Sequence, residues 1–343
     1  MIVRLETIGH VYVRVCGLAA AAFLPLSVYA GATNWPMFRG NPSLTGVSEA
    51  VLPAKLTTAW TYKTGGPVKS SAAIGNEQVF IGSGDGNLYA LDLQSGKKRW
   101  AFKTEGAVES SPLLLDGVVF VGSSDGALYA NSTDGKPLWK YMTGDRILGS
   151  PNYLKTTNGT RIIIGGYDYK LHCVDAATGK SNWVYETGNY INGSPAVFAG
   201  KTVFGGCDAL LHVLSLANGE KVKEVEAGAY IAASVAIKDN RAYVGHYENE
   251  FLCIDLEKGT NLWTFRDKNF AYFSSPAVTE DKVLFGGRDK YLHCVNRADG
   301  KQIWSFPTRG KVDSSPAVID GKIVIGADDG MVYAFGTDVK GRK

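Results

Sequence analysis

Four groups of residues in this 343-residue chain have the types that chemistry needs. His172, His212 and His293 share one position of a recurring pattern, held by Tyr89, Tyr129 and Tyr333 elsewhere. Imidazoles bind zinc only when several converge within about 2.1 Å of one ion. Equivalent residues of separate structural units cannot so converge unless they lie near a common axis, so packing and hydrogen bonding between units is their expected role. Cys173, Cys253 and Cys294 share a second position, held by Ala90, Ala130 and Ala334 elsewhere. They are expected to be small buried hydrophobes, unbridged because a disulfide needs Cα atoms within about 7 Å. Cys207 falls in a turn and is expected to be free as well. The acids Asp85, Asp125, Asp168, Asp208, Glu248, Asp289 and Asp329 occupy one turn position, and three of them precede Gly, a hairpin signal. Turn capping is expected there, since so wide a ring would not act as one cation site. Neither a His-Glu-x-x-His pair nor a Walker loop occurs.

The elements that carry these residues follow from an internal repeat. Trp60, Trp100, Trp139, Trp183, Trp263 and Trp304 stand about forty residues apart, with one gap filled by Lys223. Each unit opens on a Ser-Ser-Pro-like stretch (Ser70-Ser71, Ser110-Ser111-Pro112, Ser274-Ser275-Pro276, Ser314-Ser315-Pro316). A β-branched run ending in Gly follows, then the acidic turn, a strand like Leu88–Asp92, a polar Gly loop and the Trp strand. Four short strands per unit and no sustained helical period predict an all-β fold. Specifically, they predict a seven-bladed β-propeller of four-stranded antiparallel blades. The first Trp strand, about residues 56–64, precedes any complete unit, and the last unit lacks a fourth strand. The two are therefore expected to pair and close the ring, which removes two open sheet edges. The tryptophans are expected to be structural wedges of the outermost strands, each N–H reaching a neighbouring backbone carbonyl.

Positions that break the repeat are the better binding candidates. Immediately before the inner strand stand Lys69, Glu109, Leu148, Asn192, Ala232, Phe273 and Asp313; two residues earlier stand Pro67, Ala107, Arg146, Tyr190, Tyr230, Ala271 and Lys311. Chain direction puts both sets at the entrance of a central channel. Lys69, Glu109, Arg146, Tyr190, Asn192, Tyr230, Tyr272, Phe273, Lys311 and Asp313 would form a mixed aromatic and charged funnel for a small polar molecule or a peptide loop. The plain alternative is a solvated rim. Glu109 and Asp313 could also face each other for glycoside hydrolysis, at a separation the sequence does not give.

With 36 Lys+Arg against 33 Asp+Glu, the chain lacks the basic excess of a dedicated nucleic-acid binder. Residues 1–30 read as a cleaved secretory signal: Arg4 and Arg14, the apolar run Val15–Val28, then Val28-Tyr29-Ala30. Arg14-Val15 before Cys16 does not suit lipidation. The expected divisions are the signal (1–30), a leader (31–55), one propeller (56–338) and a short tail (339–343). The product is expected to be a periplasmic or secreted monomer.

The repeat resembles that of the pyrroloquinoline-quinone-like propellers. The resemblance rests on Leu88-Tyr89-Ala90-Leu91-Asp92, Gly96-Lys97, Trp100 and Phe102, with Trp183/Tyr185, Trp263/Phe265 and Trp304/Phe306. The stretch Asn34-Trp35-Pro36-Met37-Phe38-Arg39-Gly40 is similar to the leader before many bacterial propellers of this kind. The resemblance implies one of two functions. One is a BamB-like scaffold without catalysis, offering its channel face or blade edges to protein partners, membrane-associated ones included, in envelope protein assembly. The other is a dehydrogenase oxidising alcohols or sugars with the quinone (PQQ) and calcium. Adjacent cysteines and a Cys-x-x-Cys-His tail, frequent in the enzyme branch, do not occur here, so the scaffold is favoured and no cofactor is expected.

Overall fold

The computed structural model describes residues 32–226, 234–246 and 248–336. The signal segment, the tail 339–343 and the rim candidate Tyr230 lie outside these residues. The strands form seven four-stranded antiparallel sheets. Blade 1 shows the pattern: an inner strand Ala73–Gly75, then Gln78–Gly82, Asn87–Asp92 and an outer strand Lys98–Lys103. Blades 2 to 6 begin at Leu113, Asn152, Ala196, Ala236 and Ala277. Blade 7 takes Ala317–Ile319, Lys322–Gly326 and Met331–Gly336, and its outer strand is Thr57–Lys63 from the start of the chain. Trp60 lies opposite Ala334 in that pairing. The expected closure is therefore present.

The second and third strands are the driest, as alternate residues of both faces are covered by neighbouring blades. Val79, Phe80, Ile81, Leu88 and Ala90 of blade 1 are all fully buried. The outer strands alternate exposed and part-buried positions. Their tryptophans are the wedges: Nε1 of Trp60, Trp100, Trp139 and Trp263 donates to the carbonyls of Leu93, Thr133, Ala176 and Arg297 in the next blade, at 2.8–3.1 Å. Trp183 reaches Leu216 at 3.4 Å. The carbonyl equivalent for Trp304 belongs to position 337, outside the described residues. Trp60, Trp100, Trp139, Trp183 and Trp263 each roof a left-handed glycine of the next blade. A Cβ on Gly96, at φ +68°, would lie 2.5 Å from the Trp60 ring. That contact excludes every side chain.

The Ser-Ser motif does more than keep the channel narrow. Two runs of serines, Ser71-Ser111-Ser150-Ser194 and Ser275-Ser315-Ser71, link blade to blade: the N–H of one donates to the hydroxyl of the next (Ser71 to Ser111 at 3.0 Å, Ser150 to Ser194 at 2.9 Å, Ser275 to Ser315 at 3.0 Å), and Ser315 returns to Ser71 at 2.7 Å. The leader is part of the same compact unit as the blades. It stitches the far ends of the inner strands together. Trp35 pairs with Ile74, Pro36 accepts from Leu114, Pro42 from Val197, Gly46 from Val278 and Val51 from Gly321. Arg39, 1 % exposed, donates to the carbonyls of Leu44, Thr45, Ser234 and Val235. Burial brings its pKa down to about 10, so it remains charged at neutral pH.

Candidate functional site

With the leader beneath, the channel is a cup of about 210 Å³ rather than a pore. Phe38 of the leader and the hydroxyl-bearing Ser71, Ser111, Ser150, Ser194, Ser234, Ser275 and Ser315 line it. Lys69, Glu109, Asn192, Phe273 and Asp313 line its mouth, together with Leu148. A buried inner strand delivers each of them, and the buckled serines hold those strands together.

The mouth has two unlike halves. On the charged half, Lys69 Nζ meets Glu109 Oε1 at 2.9 Å, and the Glu109 hydrogen bond raises the lysine pKa. Arg288 grips Asp313 through Nε and Nη2, both at 3.1 Å, and lies over the Phe273 ring at 4.0 Å. Asp328 stands beside them with a buried Oδ1 that satisfies no hydrogen bond. Burial first, then the nearby Asp313 charge, raises its pKa. Lys311 is exposed on this side, and its carbonyl accepts from the Asp328 N–H. On the aromatic half, Arg146 sits over the Tyr167 ring at 4.5 Å. Tyr190 stacks on Tyr167 at 4.7 Å and meets Tyr169 edge-on at 4.9 Å.

Tyr272 is a correction: it is fully buried and not at the mouth. It occupies the place of Val68, Val108, Ile147, Ile191 and Val312, one residue before each mouth residue. That side chain presses on the glycine ending the second strand of the preceding blade. A Cβ on Gly245 would lie 2.5 Å from Tyr272, as one on Gly286 would lie 2.4 Å from Val312. Alternation along the segment turns residue 272 inward and residue 273 toward the channel. Arg288, Asp328, Tyr167 and Tyr169 were missed by the sequence reading. Arg288, Asp328 and Tyr167 precede the acidic turn, a position that also varies freely between blades (Gly84, Ser124, Cys207), and this variation was the available signal.

The six aspartates of the acidic turns are caps, as expected, each accepting the backbone N–H two residues on. Tyr89, Tyr129 and Tyr333 donate to Asp85, Asp125 and Asp329 at 2.6–2.8 Å. Imidazole Nε2 replaces the phenol in His172–Asp168, His212–Asp208 and His293–Asp289, at 2.8–3.0 Å. Cys173, Cys253 and Cys294 are buried and Cys207 half-buried, all unbridged. Burial pushes the Cys173 and Cys294 thiols up to about 12, so they are inert. Gly122-Ser123-Ser124-Asp125-Gly126 reads as Gly-x-Ser-x-Gly, yet it is a hairpin turn between two strands and not a strand-to-helix elbow. Glu109 and Asp313 are each engaged by a cation, which does not suit a general acid.

A sequence model of the family described as outer membrane protein assembly factor BamB matches residues 46–189, 131–227 and 270–342. BamB of Escherichia coli (strain K12) is 32 % identical over 104 residues, 29 % of this chain and 26 % of that protein. BamB of Salmonella typhimurium is 34 % identical over a segment of the same length and coverage. The match thus spans about a quarter of these relatives' length. Among solved structures, BamB from Moraxella catarrhalis superposes with a TM-score of 0.54 at 19 % identity, covering 85 % of this chain and 96 % of that one. The computationally designed Ika8 protein gives 0.55 at 15 % identity, covering 80 % and 97 %. Both structural likenesses speak to the propeller fold.

Proposed function

The chain belongs to the family described as outer membrane protein assembly factor BamB, and from that premise we propose that it is a periplasmic scaffold that presents its channel mouth to proteins on their way into, or already in, the outer membrane. The observation that carries this reading is the cup itself. Seven blades repeat one architecture, yet the six described mouth residues differ in charge, size and aromaticity from blade to blade. A blind, half-charged and half-aromatic depression suits a protruding peptide loop, with an aromatic or basic side chain as its anchor. The unsatisfied Asp328 Oδ1 is a ready acceptor for a donor on that loop.

The quinone alternative fits these residues poorly. Pyrroloquinoline quinone carries three carboxylates. Lys69 and Arg288, the cations nearest the cup, are already paired with Glu109 and Asp313, and Asp328 adds further negative charge.

The reading is tested by complementation in a strain lacking this protein. A mouth variant combining Lys69→Glu, Arg146→Ala and Phe273→Ala should fold normally and leave outer-membrane β-barrel proteins depleted, as the deletion itself should. Full restoration by that variant would contradict the proposal.

A further inference from the structure

The crossing from blade 5 to blade 6 departs from the repeat in two adjoining places. Elsewhere a threonine four residues past the tryptophan clamps the crossing by donating to two carbonyls. Thr64 serves Gly66 and Gly330 at 2.7 and 2.9 Å, and Thr104, Thr143, Thr187 and Thr308 make the equivalent pairs. After Trp263 the residue at this place is Asp267. A carboxylate cannot donate, so the clamp is lost and a negative charge gained. Among the described residues, no hydrogen-bond donor reaches the Asp267 carboxylate. Instead one of its oxygens comes together with an oxygen of Asp289 and a ring nitrogen of His293, the three atoms lying within 4.8 Å of one another. The crossings into blades 3 and 4 carry the same Asp–His pair but keep Thr143 and Thr187, and among the described residues neither forms such a trio.

The second departure is Tyr272, where five other crossings hold Val or Ile. The side chain is fully buried, and its hydroxyl satisfies no hydrogen bond. The ring stands edge-on to His293, centroids 5.8 Å apart at 80°. Its Cε1 edge and the Asp289 carboxylate crowd the same spot, the place of a Cβ on Gly287, at 3.1 and 2.3 Å. The phenol hydroxyl thus lies beside two acids and the backbone N–H of Asp267, and its own proton finds no acceptor. On its far side, His293 Nδ1 lies 3.4 Å from Gln302 Oε1, which can accept an Nδ1 proton and so let Nε2 exchange its 2.8 Å contact with Asp289 for a metal ion.

We propose that Asp267, Asp289 and His293 bind one zinc-like divalent transition-metal ion at the crossing between blades 5 and 6, with the Tyr272 hydroxyl as the polar group that closes the pocket. One imidazole with two carboxylates suits zinc, whereas calcium takes six to eight oxygens. Asp289 and His293 already stand 2.8 Å apart, and the exposed Asp267 has the freedom to close on an ion. The ion replaces the missing threonine clamp and neutralises the two acids. It also steadies the mouth, because Phe273 follows Tyr272 and Arg288 precedes Asp289 in the chain.

The test is calorimetric titration of zinc into the chelator-stripped full chain, read beside cobalt(II), whose visible bands report ligation. One equivalent should bind and raise the melting temperature. Asp267→Thr and His293→Tyr should each weaken binding at least about tenfold and abolish the cobalt bands. Both install residues that the repeat itself uses at those places, and circular dichroism checks their folding; should either fail to fold, Asp267→Asn is read in the same way. His172→Tyr should leave the site intact. Absence of saturable binding, undiminished binding by Asp267→Thr, loss through His172→Tyr alone, or calcium binding more tightly than zinc would overturn the proposal.

Discussion

The serines show how a small residue type can carry a structural task that its own neighbourhood in sequence does not display. Ser71 and Ser315 open their units and lie beside the axis. Their hydrogen bonds join residues 244 positions apart, so no local pattern could have revealed them. Ser71→Ala would leave the buried Ser315 N–H without its acceptor, at a cost of about 1–3 kcal/mol. Urea denaturation should show that loss with an unchanged slope. The acidic turns make a second prediction at this scale. Burial alone would raise the Asp85 and Asp168 carboxyls, but hydrogen bonds from Tyr89, Asn87 and Gly65 to the first, and from His172 and Gly144 to the second, outweigh it and hold both below the ordinary range. A folded pKa below the unfolded one gives stability that is present in full above the unfolded value, near 4, and is lost as pH falls through the folded value. The urea midpoint should therefore hold steady on the acid side until about pH 4 and then drop. Asp85→Asn should flatten part of that fall.

Between elements, the wedge of indole on glycine explains both the rule and its exception. Blade 4 has Lys223 where the others have tryptophan, and a Cβ on Gly259, the glycine this residue would roof, meets nothing within 4 Å. Lys223→Trp should fill that space, reach toward the Leu256 carbonyl and stabilise the protein by about 1–2 kcal/mol, read as a higher melting temperature. Gly96→Ala should do the opposite and cost several kcal/mol, because Trp60 already occupies the place of the new methyl. Strand content and blade phase were legible because turn residues and tryptophans recur at fixed offsets. The leader was not legible as an integral part. Its bonds run from backbone and from Arg39 to the ends of inner strands, and only the assembled ring brings those ends together. Tyr272 was misplaced for a similar reason: an aromatic beside Phe273 reads as a surface pair until alternation sends one of the two inward.

For the molecule as a whole, closure by Thr57–Lys63 makes the ring a single cooperative object. Deleting residues 32–64 should remove both the floor of the cup and the outer strand of blade 7, and the sharp unfolding transition should broaden or vanish in calorimetry. Half of the mouth was readable from the positions that break the repeat. The remainder, Arg288 and Asp328 among it, enters from turns between the second and third strands; their position varies between blades, but only the ring shows that such turns reach the mouth. The central claim is that this mouth receives an outer-membrane assembly partner. It is tested most directly by placing a photo-crosslinking amino acid at Asn192 or Phe273, and at Val51 on the opposite face, in living cells. We predict adducts with an outer-membrane assembly component or a β-barrel client from the two mouth positions and none from Val51. Equal labelling from both faces, or no adduct from the mouth, would contradict the account.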